Sequence, residues 1–402
     1  MVFLFSLLVF FGPIISALLP NITGKVNAVW LIFFLLIFLF YIKIIISRKI
    51  TGSFNLWLCF TLLFCIVEVM SVSWSPYYFY DSGLMQQLFA RYVTPVFVAI
   101  IAFNLFNTEK KYSKAIKYLL IAALMLAFFA LIQMIFGLQT LFSAWNKYEP
   151  YRASATFQNP NGLAIFLVLT IPHLLYGISR EIIPKKVGWF SIAMIIVGII
   201  CTVSRKGIIT AWLVLFLYFT LNKEAKKIFV LSIATVVAVA ILSLTTLVSQ
   251  RFTEEKIGSQ FAGKQVLVSA GVDMFLKNPI LGLGYQGYAE NYNKYFKRRY
   301  ISEPKKYDAH NMYITVLVNY GLLGFFTLMA IFIYPLYISV RTLKKGSLKY
   351  SKDISILCIV SIVPFMMNTY YAGGILESWP IIMMFYTNVI VLFSLTSNRQ
   401  HV

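Results

Sequence analysis

Residues 188–221 read GWFSIAMIIVGIICTVSRKGIITAWLVLFLYFTL. Two apolar runs, 188–204 and 207–221, meet at a turn that holds Arg205 and Lys206. A bilayer core asks for roughly 20 apolar residues per helix, and each run comes close to that length. The stretch predicts two lipid-crossing helices joined by a very tight turn, with two cations at one membrane face.

Similar runs recur near 2–19, 28–46, 55–74, 87–106, 117–136, 161–178, 228–247, 311–338, 354–370 and 378–396. With the pair at 188–221 they predict an all-α integral membrane protein of about twelve transmembrane helices. The first run, Val2 to Leu19, lacks a basic n-region and a convincing small-residue cleavage site, so a retained helix is expected and not a signal peptide. Composition agrees: 60% of the 402 residues are hydrophobic and 12% charged, more apolar than a soluble domain could hide in its core. Cys59, Cys65, Cys201 and Cys358 lie inside apolar runs without C-x-x-C spacing. They read as small buried packing residues, and neither a disulfide framework nor a metal site is expected.

The formal net charge of +21 would point to nucleic acid in a soluble chain. Here the Lys and Arg residues gather in alternate loops, as the positive-inside rule requires of cytoplasmic ones. Lys43/Arg48/Lys49, Lys110/Lys111/Lys114/Lys117, Arg180/Lys185/Lys186, Lys223/Lys226/Lys227 and Arg341/Lys344/Lys345/Lys349/Lys352 mark that side. The pattern predicts both termini in the cytoplasm and no nucleic-acid partner.

The segment 248–310 is the one sizeable hydrophilic stretch, and it falls on the extracytoplasmic side. Loops of such length are uncommon unless they are functional. Inside it Val266, Leu267, Ala270 and Met274 recur at helical spacing, predicting a short amphipathic helix on the membrane surface that Asn278-Pro279 ends. Tyr285, Tyr288, Tyr292, Tyr295, Phe296 and Tyr300 alternate with Lys294, Lys297, Arg298 and Arg299, a mixture suited to anionic headgroups or to sugars. No internal repeat or low-complexity linker divides the chain, so 1–402 is one polytopic domain.

Ionisable groups at the outer rim are the places to look for chemistry, because charge near hydrocarbon is expensive. Arg205 reads either as a snorkelling anchor or as a guanidinium whose planar fork suits phosphate. Arg152 opens Tyr-Arg-Ala-Ser-Ala-Thr-Phe-Gln-Asn-Pro-Asn-Gly before the sixth helix, where Asn161 is either a substrate ligand or a helix N-cap. His310 and Asn311 enter the tenth helix from the long loop. His310 reads as incidental, or as a hydrogen-bond donor or weak base to a hydroxyl; His173 falls near the inner rim and His401 in the tail. Arg251 follows the ninth helix, with the same two readings as Arg205. Glu68 is an intramembrane carboxyl that either pairs with a neighbouring helix or serves function. Gly282-Leu-Gly284-Tyr-Gln-Gly287 fits a dinucleotide fingerprint, but no strand precedes it and a tight glycine turn is the better reading.

The order of these motifs resembles the O-antigen ligase and polymerase superfamily. The resemblance rests on Arg152 with Thr156-Phe157-Gln158-Asn159-Pro160-Asn161, then Ser204-Arg205-Lys206-Gly207, then Asn278-Pro279-Ile280-Leu281-Gly282-Leu283-Gly284, then Ala309-His310-Asn311 and Asn319-Tyr320-Gly321. It implies an inverting glycosyltransferase that needs neither metal nor cofactor and takes a glycan on undecaprenyl pyrophosphate at the outer face. Arg205 and an arginine near the long loop, Arg251, would hold the pyrophosphate, and Arg152 joins the same cluster. Asn161 and Asn311 are further candidate contacts. His310 would orient or activate the acceptor hydroxyl. The Arg-to-Asn segment and the lack of an appended soluble domain look more like the polymerases, which join lipid-linked repeat units with a chain-length regulator as a possible partner. A ligase passing the glycan to a lipid core is the alternative. A flippase for lipid-linked sugars is the rival from another class, but it predicts matching halves and a polar central path, whereas polarity here gathers at one face.

Overall fold

The computed structural model describes residues 1–18, 28–47, 56–75, 93–138, 151–157, 159–230, 232–233, 254–295, 309–345, 349–370 and 378–397. Among these the regular structure is entirely helical. In chain order the helices are α1 (Val2–Val9), α2 (Gly12–Leu18), α3 (Ala28–Ser47), α4 (Leu56–Met70, prolonged by a 3-10 turn Ser71–Trp74), α5 (Thr94–Leu105) and α6 (Glu109–Phe136). They continue with α7 (Pro160–Ser179), α8 (Lys185–Cys201), α9 (Arg205–Leu221), α10 (Glu254–Lys277), α11 (Gly287–Tyr295), α12 (Met312–Lys344), α13 (Lys349–Tyr370) and α14 (Trp379–Ser397).

Among the described residues five stretches are long and apolar enough to cross a membrane: Leu56–Trp74, α6, α7, α12 and α13. The tight pair that opened the sequence reading forms as expected, but α8 and α9 have 17 residues each, just short of a full crossing. The run expected at 2–19 is broken in two at Phe10–Phe11. Pro13 lacks the N–H that a continuous helix would need there and sits instead in the first turn of α2, where none is required. Most of the run expected at 228–247 lies outside the described residues. The count of twelve therefore stays an expectation from sequence.

The buried centre is α7, sequestered along nearly all of 163–178. A helix apolar on every side belongs inside a bundle, and α7 packs against α6, α8, α9, α13 and α14. Small residues let the backbones close up, as they do in membrane bundles generally. A Cβ on Gly198 would come within 2.8 Å of Ala127, and one on Gly207 within 2.7 Å of Ala164. That second contact seats the first turn of α9 against the first turn of α7.

The two ends of the bundle differ. At one end Arg180 Nε donates to Glu109 Oε1 at 2.8 Å, Nη1 lies 3.9 Å from Asp353 Oδ2, and the guanidinium stands 5.2 Å from the Tyr350 ring centroid. Deeper on that side His173 is buried between Tyr112 and Asn388. Since Asn388 Oδ1 can only accept, the network assigns the proton to His173 Nε2 and leaves Nδ1 to accept from the Tyr112 hydroxyl. Asn388 Nδ2 donates to Leu169 O at 2.9 Å and Ser361 Oγ at 3.0 Å, so four helices share one satisfied polar chain.

At the opposite end α10 and α11 form a small crown on α12. Leu267, Ala270 and Met274 of α10 bury against Tyr288, Tyr292, Ala309 and Val318. This corrects the expected surface-lying helix: it begins at Glu254, ends at Lys277 as Asn278-Pro279 predicts, and turns its apolar face to protein. Val266 is the member of the stripe that stays exposed. It also corrects the reading of the tyrosines. Tyr285, Tyr288 and Tyr292 are buried, and Tyr288 OH donates to Leu267 O at 2.8 Å, so the rings of Tyr288 and Tyr292 belong to the core of the crown and none of the three is an exposed sugar platform. Residues 296–300 lie outside the described residues.

Candidate active site

The site is built from three short loops at the crown end. The first, 151–157, is folded under the α8–α9 turn. Arg152 Nε donates to Thr202 O at 2.9 Å and Nη2 to Asn161 Oδ1 at 2.7 Å, while Ala153 N donates to Cys201 O at 3.0 Å. From α6, Gln133 Oε1 accepts Ser154 N at 3.1 Å and Ala155 N at 2.7 Å. Arg152 is 2% exposed. A guanidinium so enclosed and so engaged with main chain positions the turn; the sequence reading that placed it among the phosphate contacts gains no support from this burial.

The second loop is the turn itself. Ser204 caps α9, accepting Gly207 N at 3.3 Å, and its hydroxyl donates to Asn161 Oδ1 at 3.0 Å. Asn161 is thus the common acceptor of Arg152 and Ser204. It is not the cap of α7, a role taken by Asn159, whose Oδ1 accepts Asn161 N at 2.8 Å. The result is that Arg205, the first residue of α9, is held half-buried at the positive end of a helix. Val203 pays for the tightness of the turn with φ +48°, a left-handed conformation that a β-branched residue seldom adopts.

The third loop leads into α12. Ala309 is buried in the crown core, His310 is exposed with φ +49°, and Asn311 is the N-cap, its Oδ1 accepting Tyr313 N at 3.0 Å and Ile314 N at 3.2 Å. Asn311 therefore has a structural task that the sequence reading did not assign to it. Fixed between a packed alanine and a cap, His310 is presented outward from strained backbone, the kind of outlier that collects at functional sites.

The Tyr370 end of α13 links the second and third loops. Tyr313 OH donates to Met366 O at 2.9 Å, Thr369 Oγ1 lies 3.1 Å from Tyr313 OH, and Asn368 Nδ2 donates to Thr210 Oγ1 at 3.3 Å. Thr210 is five residues beyond Arg205 and Tyr313 three beyond His310. Arg205 and His310 are thereby brought to one rim, while Arg251 lies outside the described residues.

The structure adds a residue that sequence reasoning passed over. Lys264 lies on the inward stripe of α10, one turn before Leu267, and is half-buried. Its pKa is lowered, first by burial and then by the charge of Arg205, so the two cations are neighbours. The signal was present as spacing: Lys264, Leu267, Gly271 and Met274 share one helical face. Glu68, by contrast, is buried in α4 with Oε1 lacking a hydrogen-bond partner.

The glycine motif explains itself without nucleotide. Gly282 and Gly284 have φ +71° and +87°, and Gly321 at φ +62° breaks α12 opposite them. Leu283 N donates to Val318 O at 2.7 Å and Gly284 N to Asn319 O at 2.9 Å, while Asn319 Oδ1 accepts Tyr288 N at 2.9 Å. A Cβ on Gly282 would stand 2.6 Å from Asn319 main-chain atoms. The two motifs of the resemblance, 278–284 and 319–321, are the two halves of one junction.

Fold and site together define an all-helical, multi-pass type of membrane protein with paired cations and one histidine on a single rim. The family model described as O-antigen ligase matches residues 190–329, about a third of the chain, in agreement with the resemblance drawn from the motifs. The matched span holds Arg205, Lys264, His310 and the glycine junction, and leaves Arg152 and Asn161 outside. No curated protein matches the chain.

Proposed function

We propose that the protein polymerises oligosaccharide repeat units carried on undecaprenyl pyrophosphate, acting at the outer face of the bacterial plasma membrane. The observation that carries this reading is Arg205 at the N-terminus of α9 with Lys264 close enough to feel its charge. Backbone N–H groups and the helix dipole favour an anion there, and two cations beside it suit a diphosphate better than a single phosphate.

In the reaction, the bond from the anomeric carbon to the diphosphate oxygen breaks and its electron pair leaves on that oxygen. Arg205 and Lys264 stabilise the growing charge, in the manner of preorganised electrostatic sites. The acceptor hydroxyl forms the new bond from the opposite face, with inversion, and its proton passes to His310. Arg152 and Asn161 hold the α8–α9 turn that carries Arg205, so they position and do not contact the donor.

Transfer of a finished glycan to a lipid core is the second reading, favoured by the description of the matching family. Reconstituting the protein with lipid-linked repeat units as the sole glycan separates the two. A ladder of longer lipid-linked chains is the expected product. Single transfer that waits for a core lipid supports the ligase, and no covalent product with either acceptor overturns both in favour of transport.

A further inference from the structure

The turn between α10 and α11 carries large apolar side chains that the crown leaves uncovered. Leu276 is 66% and Ile280 69% exposed, and Leu281 is exposed as well. Leu323 and Phe326 of α12 continue the same surface. Nothing in a loop bathed in water accounts for such a patch on a turn so closely bonded to its neighbours.

The way that turn is fixed gives its depth. Its pairing with α12 runs Gly284 to Asn319, Leu283 to Val318, Pro279 to Leu322 and Ile280 to Leu323. Residues 322–323 lie further along α12, toward its Arg341 end, than 318–319, so Pro279 and Ile280 sit further from the crown than Gly284. The far limb returns to the end of α4, where Tyr285 N donates to Ser71 O at 3.4 Å and Ser75 Oγ to Tyr285 O at 3.0 Å. Meanwhile Tyr320 at the kink packs on Phe64, with ring centroids 6.2 Å apart, and Phe64 lies ten residues back from the end of that crossing stretch, Trp74. The chain thus descends alongside two candidate membrane spans and climbs out again.

Backbone can enter lipid outside a helix only where its polar groups are satisfied by protein. Three carbonyls of the turn are paired in this way: those of Asn278, Pro279 and Ile280 accept N–H groups of Gly282, Leu322 and Leu323 at 3.0, 2.8 and 3.3 Å, the last two freed by the break at Gly321. We infer that residues 276–284 form a re-entrant wedge, seated among the lipid acyl chains of the leaflet on the Arg205 side, with Leu276, Ile280 and Leu281 as its lipid contacts. The wedge anchors the crown to the bilayer, and the kink in α12 exists to receive it. This inference stands apart from the proposed reaction.

The test is collisional accessibility of a nitroxide in lipid nanodiscs, in a background with Cys59 and Cys65 replaced by Ala. Labels at Ile280→Cys and, independently, Leu276→Cys are compared with one at Asp273→Cys, an exposed position of α10 on the polar side. Oxygen over nickel-chelate accessibility should be about tenfold higher at both wedge sites than at 273, as hydrocarbon requires. Because both labelled side chains are exposed, neither substitution disturbs packing. Ratios at 280 and 276 equal to that at 273 would place the turn in water and overturn the wedge.

Discussion

Arg180 and Arg205 occupy opposite ends of one bundle and show two uses of the same side chain. At the Arg180 end, the hydrogen bond that Arg180 donates to Glu109 leads the effects that raise the pKa of Arg180, with Asp353 adding to them. At the Arg205 end, burial and the neighbouring arginine both push Lys264 down. At one end the guanidinium is bound to carboxylates; at the other, two like charges stand close enough for Arg205 to disfavour the charge on Lys264. The lesson is that a cation whose charge the fold favours marks architecture, while cations brought close enough to disfavour one another mark a place to look for an anion.

The largest effects should follow from Arg205. Arg205→Ala should lower transfer by about 10²–10³-fold, the usual loss when a donor to developing charge is removed, with the protein still folded in the membrane. Arg205→Lys should fail nearly as badly, since an ammonium cannot reproduce a two-pronged contact. Activity assays on equal amounts of folded protein decide this, and normal turnover in either variant breaks the contrast.

Next comes the junction beneath the site. Gly282→Ala puts a methyl group against Asn319 main chain at a positive φ. A loss of about 2–3 kcal/mol or failure to accumulate is expected, read from thermal unfolding and yield.

Lys264 sharpens the comparison through pH. Its folded pKa is depressed, so the unfolded chain binds more protons and stability rises with pH from that lowered value up to the ordinary 10.5. Lys264→Met should therefore make the empty protein more stable at neutral pH while weakening diphosphate binding about tenfold. In the wild type, diphosphate binding should fade as pH climbs through the lowered value, and Lys264→Met should lose that limb. A variant that binds as well as wild type at neutral pH would remove Lys264 from the site.

The smallest effect belongs to the other end. Arg180→Met should cost about 1 kcal/mol of stability, as a partly exposed ion pair does, and leave turnover per folded molecule unchanged.

Much of this was legible in the sequence, for identifiable reasons. Apolar run lengths gave the helices because lipid leaves the backbone few alternatives, and the α8–α9 turn was readable because only two cations interrupt two long runs. The break at Phe10–Phe11 was missed although Pro13 announced it, because hydropathy averages over a single proline. The burial of Tyr288 and Tyr292 was illegible, since alternating tyrosine and lysine looks alike on a sugar platform and on a small crown whose inner face is aromatic. Asn161 and Asn311 could not be sorted, because cap and ligand differ only in which donors reach the oxygen. Arg205 and Lys264, 59 positions apart, became neighbours only through the fold.

The most direct test of the central claim is the affinity of the purified protein in nanodiscs for undecaprenyl pyrophosphate, measured for wild type, Arg205→Ala, Lys264→Met and Arg180→Met. The account predicts weaker binding in the first two variants and wild-type binding in the third. Equal affinity across all four, or a loss confined to Arg180→Met, would contradict it.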